Sequence, residues 1–299
     1  MLKITRIAVI SDIHGNYIAL DSILKETKSL NIDTYVFCGD LINEFPFGNR
    51  VLDTLKSMDN AYIIKGNREQ YLIEYDEEKY EWDNIQFKNN LFMYNELRPD
   101  NLEYIKSLPE TLSFKVENVS FKVVHGSVDS INEFIHDDSI DRMAEMSEEF
   151  KEDVLLLGHS HQRIWYQYIN NKLFINAGCC GVSKLNNEHA EYLILTIDGD
   201  DVQIEPKNVW FNVEELIEEV KKSGIIEVEN VFVNLSLLGI TGKGQLIHEF
   251  FRRAKEEMSL KGEILHLHDA KGIYKDFRLY DDDVWLRVAD EFKDEFIIK

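Results

Sequence analysis

Cysteine is scarce in this chain of 299 residues, which has three, and two of them, Cys179 and Cys180, are adjacent. So few cysteines exclude a disulfide framework and fit a reducing cytoplasm, where we expect the protein to be located. The third, Cys38, lies within an apolar run, where a small buried residue is expected.

Long apolar runs are also missing, since none approaches the roughly 20 residues that span a membrane. The first ten residues, MLKITRIAVI, are interrupted by charges and lead directly into a polar motif, so no signal peptide is expected there. With 44% hydrophobic residues, the chain is nonetheless too apolar for a disordered polymer. We therefore expect a soluble folded protein with no membrane partner.

Basic residues are in the minority, because 33 lysines and arginines stand against 55 aspartates and glutamates, for a formal net charge of -22. This balance excludes a long nucleic acid as a partner, which needs a basic surface track. A small anionic substrate stays compatible with it, because local positive charge at a binding site can capture such a substrate against the general repulsion. Solubility alone is the other explanation of the acidity.

Five short apolar runs each end in residues that can bind a metal. The runs are IAVISDIH, ending in Asp12 and His14; YVFCGD, ending in Asp40; YIIKGN, ending in Asn67; FKVVHG, containing His125; and VLLLGHSH, ending in His159 and His161. Such runs are typical of buried strands followed by sharp turns, so the polar residues should lie at the carboxyl edge of a sheet. Open α/β sheets hold ligands at that edge. We therefore predict that all seven side chains surround one crevice.

The spacing within two of these motifs adds a finer prediction. In the segments 12–14 and 159–161 the outer side chains project to the same side if the backbone is extended, whereas Ile13 and Ser160 point away. Any one motif also arises by chance or as turn chemistry, and a lone His such as His125 is more often only hydrogen-bonded. The number and order of the motifs favour a metal site.

The motifs resemble those of the calcineurin-like metallophosphoesterase superfamily, in the order Asp-x-His, Gly-Asp, Gly-Asn, His-Gly and Gly-His-x-His. The opening SDIHGNYIAL is similar to the small prokaryotic phosphodiesterases and diadenosine tetraphosphatase-like proteins of that superfamily. The resemblance covers about residues 5–200. It implies an α/β (α+β) fold, a four-layer αββα sandwich of two mixed sheets flanked by helices, with a small C-terminal extension.

The resemblance implies a site for two divalent transition-metal ions. Asp12, His14 and His161 would hold one ion, Asn67, His125 and His159 would hold the other, and Asp40 would bridge them. Two such ions turn a bridging water into a hydroxide nucleophile near neutral pH and clamp the phosphoryl oxygens. Imidazole, carboxylate and amide ligands without thiolate favour manganese, with iron or zinc as alternatives.

The activity implied by the resemblance is that of a metal-dependent phosphoesterase, which cleaves a small phosphodiester, nucleotide or phosphoanhydride. The alternative is a non-catalytic metal-binding scaffold or protein-interaction module on the same fold. Because all seven ligand positions are kept, the enzyme is favoured. A protein phosphatase is not expected, because GDLINEFPFG has Asn43 after the Gly-Asp motif and no following Arg-Gly.

Arg68 stands where many members of the superfamily carry a His that protonates the leaving oxygen. Arginine stays charged and cannot donate that proton, but it can bind a phosphate oxygen. We therefore predict Arg68 and Asn16 as substrate-binding residues, and Arg68 and Asp40 as catalytic ones. The alternative for Arg68 is an ion pair with Glu69 or another carboxylate.

Other segments depart from the superfamily pattern or lie outside the motifs. INAGCCGVSK is similar to an Asn-Pro-Gly-Ser segment; Asn176 and Gly178 should keep its turn, and Lys184 stands where relatives often have Arg. His136 and His189 are spare imidazoles that either supply the missing acid or lie at the surface.

The chain divides, in our prediction, into a metallophosphoesterase domain at 1–206 and a mainly helical C-terminal accessory unit at 207–299. Within the first, 16–30 is predicted as an amphipathic helix and 69–110 as a helical wall over the site. The aromatic residues of that wall either stack a nucleobase or, more commonly, belong to the core.

In the C-terminal unit the pattern predicts helices at 211–223 and 245–259, while VFVNLSLL is either a strand or a buried helix. TGKG at 241–244 lacks the full phosphate-loop pattern and is predicted as a turn before a helix. His266 and His268 alternate as in a strand. We expect this unit to modify substrate access or to support a homo-oligomer.

Overall fold

The computed structural model describes residues 4–77, 84–182, 188–228, 231–261, 265–266 and 278–299. Its strands, in chain order, are β1 (Thr5–Ile10), β2 (Thr34–Phe37), β3 (Ala61–Ile63), β4 (Leu112–Val116), β5 (Val119–Val123), β6 (Val154–Leu157), β7 (Trp165–Ile169), β8 (Lys172–Asn176), β9 (His189–Asp198), β10 (Asp201–Trp210), β11 (Leu265–His266) and β12 (Arg278–Leu279).

The helices, in the same order, are α1 (Tyr17–Thr27), α2 (Gly48–Lys56), α3 (Asn67–Asp76), α4 (Lys88–Glu96), α5 (Pro99–Ser107), α6 (Ile140–Met146), α7 (Val213–Lys222), α8 (Ile225–Val228), α9 (Val231–Ile240), α10 (Gly244–Lys261) and α11 (Asp282–Phe292). A short 3-10 turn precedes α4. Among the residues described, no helix is both long enough and apolar enough to cross a membrane.

Two five-stranded sheets form the centre of the fold. One has the strand order β10-β9-β1-β2-β3 and the other the order β4-β5-β6-β8-β7. Each is mixed, because β1 pairs in parallel with β2 but antiparallel with β9, and β8 pairs in parallel with β6 but antiparallel with β7. The predicted α/β sandwich of two mixed sheets is confirmed.

The strand residues alternate between two apolar layers, because successive side chains of a strand point to opposite faces. Ile7 and Val9 of β1 pack in one buried cluster with Phe121 and Val123 of β5, which belong to the facing sheet. Ile10 instead packs in the cluster that contains α1 and α2. The two sheets therefore pack against each other, and helices cover the outer face of the first.

The five apolar runs of the sequence form β1, β2, β3, β5 and β6, and each polar motif follows the end of its strand. β1, β2 and β3 are parallel neighbours in one sheet, and β5 and β6 are parallel neighbours in the other. Because parallel strands end at the same edge, the motifs of each sheet are brought together at its carboxyl end.

The predicted helices are largely confirmed in the first 210 residues. The amphipathic pattern at 16–30 forms α1. Asn16 caps its first turn, because Ala19 N donates to Asn16 Oδ1 over 3.1 Å. The described parts of the segment 69–110 contain α3, α4 and α5, and Pro99 occupies the first turn of α5, where its missing N–H costs nothing.

The C-terminal helices also follow the prediction. Residues 211–223 contain α7, which ends before Gly224 at a φ of +81°, and TGKG leads into α10. VFVNLSLL is the buried helix α9 rather than a strand. His266 lies in the short strand β11, and His268 lies outside the described residues.

α9, α10 and α11 pack around the buried rings of Phe250 and Trp285, whose centroids are 4.8 Å apart. β10 pairs with β9 along its whole length and continues to Trp210 before the helices begin. The division of the chain at residue 206 stays a prediction.

Candidate metal centre

The first group of converging ligand atoms belongs to Asp12, His14, Asp40 and His161, whose ligand atoms all lie within 4.8 Å of one another. His14 Nε2 is 3.0 Å from His161 Nε2, 3.7 Å from Asp12 Oδ1 and 3.6 Å from Asp40 Oδ2. All four residues are largely buried. These are the three residues predicted for one ion together with the predicted bridge.

The second group contains Asp40, His125 and His159, again with ligand atoms within 4.8 Å of one another. His125 Nε2 is 3.3 Å from Asp40 Oδ1 and 3.0 Å from Asn67 Oδ1. The predicted set for the second ion is therefore also brought together.

Asp40 belongs to both groups and offers one carboxylate oxygen to each. Ligand atoms that share an ion at about 2.1 Å lie about 3.0 to 3.4 Å apart at tetrahedral or octahedral angles. The separations of 3.0 to 3.7 Å among these side chains are close to that range. The donor set of imidazole, carboxylate and amide oxygen thus fits two divalent ions.

Five of these residues have a left-handed backbone, namely Asp12, His14, Asp40, His159 and His161, with φ between +50° and +64°. Such a conformation costs about 1–2 kcal/mol for a residue other than glycine. The extended backbone that we considered for 12–14 and 159–161 is therefore wrong. The outer side chains reach one site because each strand gives way to a tight left-handed turn.

Three imidazoles are held at Nδ1, so that each turns its Nε2 towards the other ligand atoms of the centre. His125 Nδ1 donates to Cys38 O over 2.7 Å and His161 Nδ1 to Val182 O over 3.1 Å. His14 Nδ1 bonds to the carboxylate of Glu44. Partners of this kind fix the tautomer and the ring orientation of histidines that bind metals.

His159 is held the other way round, because its Nε2 donates to Asn132 O over 3.1 Å. Its Nδ1 is buried and has no hydrogen-bond partner among the described residues, and the same is true of Asp12 Oδ1. The other oxygen of Asp12 accepts from His159 N over 3.0 Å. A buried polar atom without a partner is costly, and coordination to a metal would satisfy both atoms.

The carboxylates in and beside the group favour positive charge there, either as protons on the histidines or as a metal ion. Burial raises the pKa of Asp12, but His161 and His14 hold it below its ordinary value. Burial opposes protonation of His14 and His125, yet Glu44 beside the first and Asp40 beside the second raise the pKa of these rings to about 10 and about 9. An incoming metal must displace these protons, so its affinity rises with pH.

Burial and the positive charge of His125 act in the opposite direction on His159, whose pKa falls to about 3. These surroundings favour the neutral ring. It is therefore ready to bind a metal without losing a proton.

Glu44 is a residue of the site that the sequence interpretation missed. It is 5% exposed, and its two carboxylate oxygens contact His14 Nδ1 and the guanidinium of Arg68. The ion-pair alternative for Arg68 is thus found in the structure, with Glu44 rather than Glu69 as the partner. The available signal was an acidic residue close in sequence to Asp40.

Glu69 has a different task, because it fixes the loop that carries Asp40. One of its oxygens accepts from Leu41 N and Ile42 N over 2.8 and 3.0 Å, and the other accepts from Gly66 N over 2.7 Å. A Cβ on Gly66 would lie 2.2 Å from Asp40 Oδ1, so only glycine lets this carboxylate pass. The Gly-Asp and Gly-Asn motifs are therefore locked together.

Replacing Glu44 with Gln is expected to weaken manganese binding about 10- to 100-fold, because the partner of His14 loses its charge and Arg68 is left unbalanced. Calorimetric titration of the protein with manganese measures this change. Glu103→Gln, an exposed position on α5, is the matched control and should bind as the wild type does. Unchanged affinity in Glu44→Gln would show that this carboxylate does not support the centre.

Asn16 and Asn176 use their amides within the fold. Asn16 is fully buried, caps α1 and donates to Gly181 O over 2.9 Å. Asn176 accepts from Gly178 N over 2.9 Å and donates to Ser160 Oγ over 2.8 Å, which keeps the expected turn. The substrate contact predicted for Asn16 stays a prediction, and Lys184 lies outside the described residues.

The two spare imidazoles lie in different surroundings. His136 lines an open cavity of about 690 Å³ together with His161. His189 packs against Trp210 at a ring separation of 4.2 Å. Of the two, His136 thus lines the same cavity as a residue of the centre.

A cavity of about 210 Å³ opens beside the centre. The polar part of its lining comes from Asp40, Glu44, Asn67, Arg68, Asn132, His159, His161 and Ser236. The apolar part comes from Tyr71, Phe134, Val182, Phe232, Leu235, Ile247 and Phe251. The predicted wall at 69–110 thus contributes Tyr71, and a second wall comes from α9 and α10.

Comparison with protein families places residues 5–200 in the calcineurin-like phosphoesterase superfamily domain. Among curated proteins, the chain is 24% identical over 237 residues to the uncharacterized protein MJ0912 of Methanocaldococcus jannaschii, covering 74% of this chain and 94% of that one. It is also 24% identical over 203 residues to phosphodiesterase MJ0936 of the same organism, covering 64% of this chain and 99% of that one.

Two solved structures share the fold. A metallophosphoesterase from Sphaerobacter thermophilus is 19% identical with a TM-score of 0.64, covering 79% of this chain and 100% of that one. The hypothetical protein PH1004 from Pyrococcus horikoshii OT3 is 17% identical with a TM-score of 0.66, covering 80% and 98%. At these identities the likeness concerns the fold alone.

Proposed function

Because the chain belongs to the calcineurin-like phosphoesterase superfamily and is a metal-dependent phosphoesterase, we propose that it uses two divalent ions to hydrolyse a small phosphodiester, nucleotide or phosphoanhydride. The observation that carries the proposal is the position of Asp40. Its Oδ2 lies 3.6 Å from His14 Nε2 and its Oδ1 lies 3.3 Å from His125 Nε2, so that one carboxylate faces both ligand groups.

In this proposal Asp12, His14 and His161 hold one ion, and Asn67, His125 and His159 hold the other. Bound there, the two ions would supply activation of a water near neutral pH and a positive charge for the oxygens of a phosphoryl group. Asp40 fixes the spacing of the two groups. Its Oδ1 accepts a hydrogen bond of 2.9 Å from the backbone N–H of Arg68. We favour manganese, with iron or zinc next, from the ligand types.

The charge balance supports an anionic substrate. Two divalent ions bring four positive charges, and among the seven ligands only Asp12 and Asp40 are anionic. The charge of Glu44 is offset by Arg68, which pairs with one of its oxygens. The centre thus stays positive towards the cavity despite the net charge of the chain, and Arg68, which lines that cavity, binds a phosphoryl oxygen.

We also propose that the first 206 residues carry the chemistry in the cytoplasm and that residues 207–299 control access to the site. The position of α9 and α10 at the cavity supports this division of labour. A homo-oligomer formed through the C-terminal unit stays part of the proposal.

Removal of metal by a chelator is expected to abolish hydrolysis of bis(4-nitrophenyl) phosphate, and added manganese, iron or zinc should restore it. The reason is that a pair of bound ions lowers the pKa of a water, which the carboxylates and imidazoles that line the cavity do not do to the same extent. Elemental analysis before and after chelation, run beside the activity assay, tests the proposal. Full activity in protein shown to be free of metal would contradict it.

A further inference from the structure

The cavity beside the centre has two chemically different sides. The metal-ligand side carries Asp40, Asn67, His159 and His161, whereas α9 and α10 contribute four apolar side chains and the hydroxyl of Ser236. A bound phosphoryl group occupies the first side, which leaves its ester group against the second. The second side is therefore in the right place to select the substrate.

The wall on α9 and α10 consists of Phe232, Leu235, Ile247 and Phe251. It belongs to the C-terminal cluster, where Phe251 and Phe232 contact Trp285 at ring separations of 6.0 and 5.0 Å. Packing of this kind fixes the wall before a substrate arrives, so its apolar surface is available without a reordering cost.

Aromatic rings also border the cavity from the catalytic domain. Phe134 stacks on the metal-ligand candidate His159, with ring centroids 4.2 Å apart and planes 20° from parallel, although 47% of Phe134 is exposed. The Tyr71 hydroxyl donates to Asn132 Oδ1 over 2.9 Å. Aromatic side chains that border a cavity favour contact with a flat ring.

The size of the cavity limits the group that it takes. At about 210 Å³ it is smaller than the roughly 300 to 1,000 Å³ of drug-sized ligand pockets. This volume admits one small ring beside a phosphoryl group.

We propose that the wall of Phe232, Leu235, Ile247 and Phe251 binds a small aromatic ester group of the substrate, so that the C-terminal unit selects aromatic phosphoesters over polar ones of the same charge. The inference rests on the proposed function, since the phosphoryl group has to bind at the metal side. It assigns a specificity role to helices outside the matched domain of residues 5–200.

Calorimetric binding of three phosphonates to the manganese-loaded protein tests the inference without turnover. The probes are methylphosphonate, 3-hydroxypropylphosphonate and phenylphosphonate, at a pH at which all three are dianions. Phenylphosphonate should bind about tenfold more tightly than the other two, because the ring loses apolar surface to the wall. Equal affinities of phenyl- and hydroxypropylphosphonate in the wild type would overturn the inference.

Two variants alter the wall in different ways. Phe251→Leu removes a ring, and Leu235→Asn makes the wall polar with the same number of side-chain heavy atoms; both should reduce the preference to about threefold or less. Phe292→Leu is the matched control, because Phe292 packs in the same cluster at 5.6 Å from Phe250 but does not line the cavity. It should keep the tenfold preference.

The methylphosphonate affinity of each variant reports whether the centre is intact. A preference that survives in both wall variants with unchanged methylphosphonate affinity would overturn the role of the wall. A wild-type protein that binds manganese but none of the three phosphonates would instead contradict the proposed function, and the inference would fall with it. The two failures are therefore distinguishable.

Discussion

Asp40→Ala is expected to lower phosphodiester hydrolysis on the order of a thousandfold or more, since it removes the one side chain that belongs to both ligand groups. Each oxygen of Asp40 faces a different group, so the loss weakens both sites together. The fold should persist, because Glu69 holds the loop through backbone N–H groups that the substitution leaves in place.

Metal content and turnover should be measured on the same preparations. Asp40→Asn retains one oxygen and a residue type that tolerates the φ of +51°, so its metal content should lie between those of the wild type and Asp40→Ala. Asp53→Ala removes an exposed carboxylate that pairs with Arg98 and should change neither quantity. Wild-type turnover with full metal content in Asp40→Ala would refute the assignment of the bridge.

The second large effect is expected in the dependence of rate on the leaving group. No imidazole stands at position 68, and a general acid typically contributes about 10²- to 10⁴-fold for poor leaving groups. Aryl and phosphoanhydride leaving groups need little protonation. We therefore expect diesters and phosphoanhydrides with such groups to be cleaved far faster than alkyl phosphomonoesters.

Substitutions of Arg68 separate proton donation from binding. Arg68→His should narrow the gap between good and poor leaving groups, because an imidazole can donate a proton. Arg68→Ala should raise KM more than it lowers kcat if the guanidinium binds the ground state and the transition state alike. It also removes the partner of Glu44, so manganese affinity must be measured beside the kinetics.

A matched series of aryl and alkyl esters, run on the wild type and both variants, decides the question. A flat dependence of the wild-type rate on leaving-group pKa would contradict the prediction. It would indicate that another residue supplies the proton, and His136, which lines a cavity with His161, would be the first to replace.

The strand ends of the site were predictable from the sequence because they depend on local patterns. A short apolar run followed by Gly-Asp or Gly-His specifies a buried strand and a turn, and parallel pairing then brings the ends together. Asp40 and His159 follow β2 and β6 in this way. Their order along the chain carried nearly all of the information.

The contacts that support these residues were not predictable to the same extent. Glu44 contacts His14, which lies 30 positions earlier in the sequence. The loop that carries Glu44 has no regular spacing of apolar residues from which its position could be predicted. The left-handed backbone of the ligand turns also went unpredicted, because Asp and His carry no local signal for it as strong as that of glycine. Such features depend on how two loops meet.

The wall on α9 and α10 shows the same limit at longer range. The apolar character of VFVNLSLL was evident, but a short apolar run does not distinguish a strand from a buried helix. Leu235 and Asp40 line the same cavity. This arrangement depends on how the C-terminal cluster packs against residues 5–200. No period within either segment encodes that contact.

Electron paramagnetic resonance of the manganese-loaded protein, with the metal content of the same sample, tests the central claim most directly. Two ions about 3.5 to 4 Å apart and bridged by Asp40 should give an exchange-coupled spectrum at two manganese ions per chain, and Asp40→Ala should lose the coupling. One ion per chain with the spectrum of isolated manganese in the wild type would contradict the dinuclear centre.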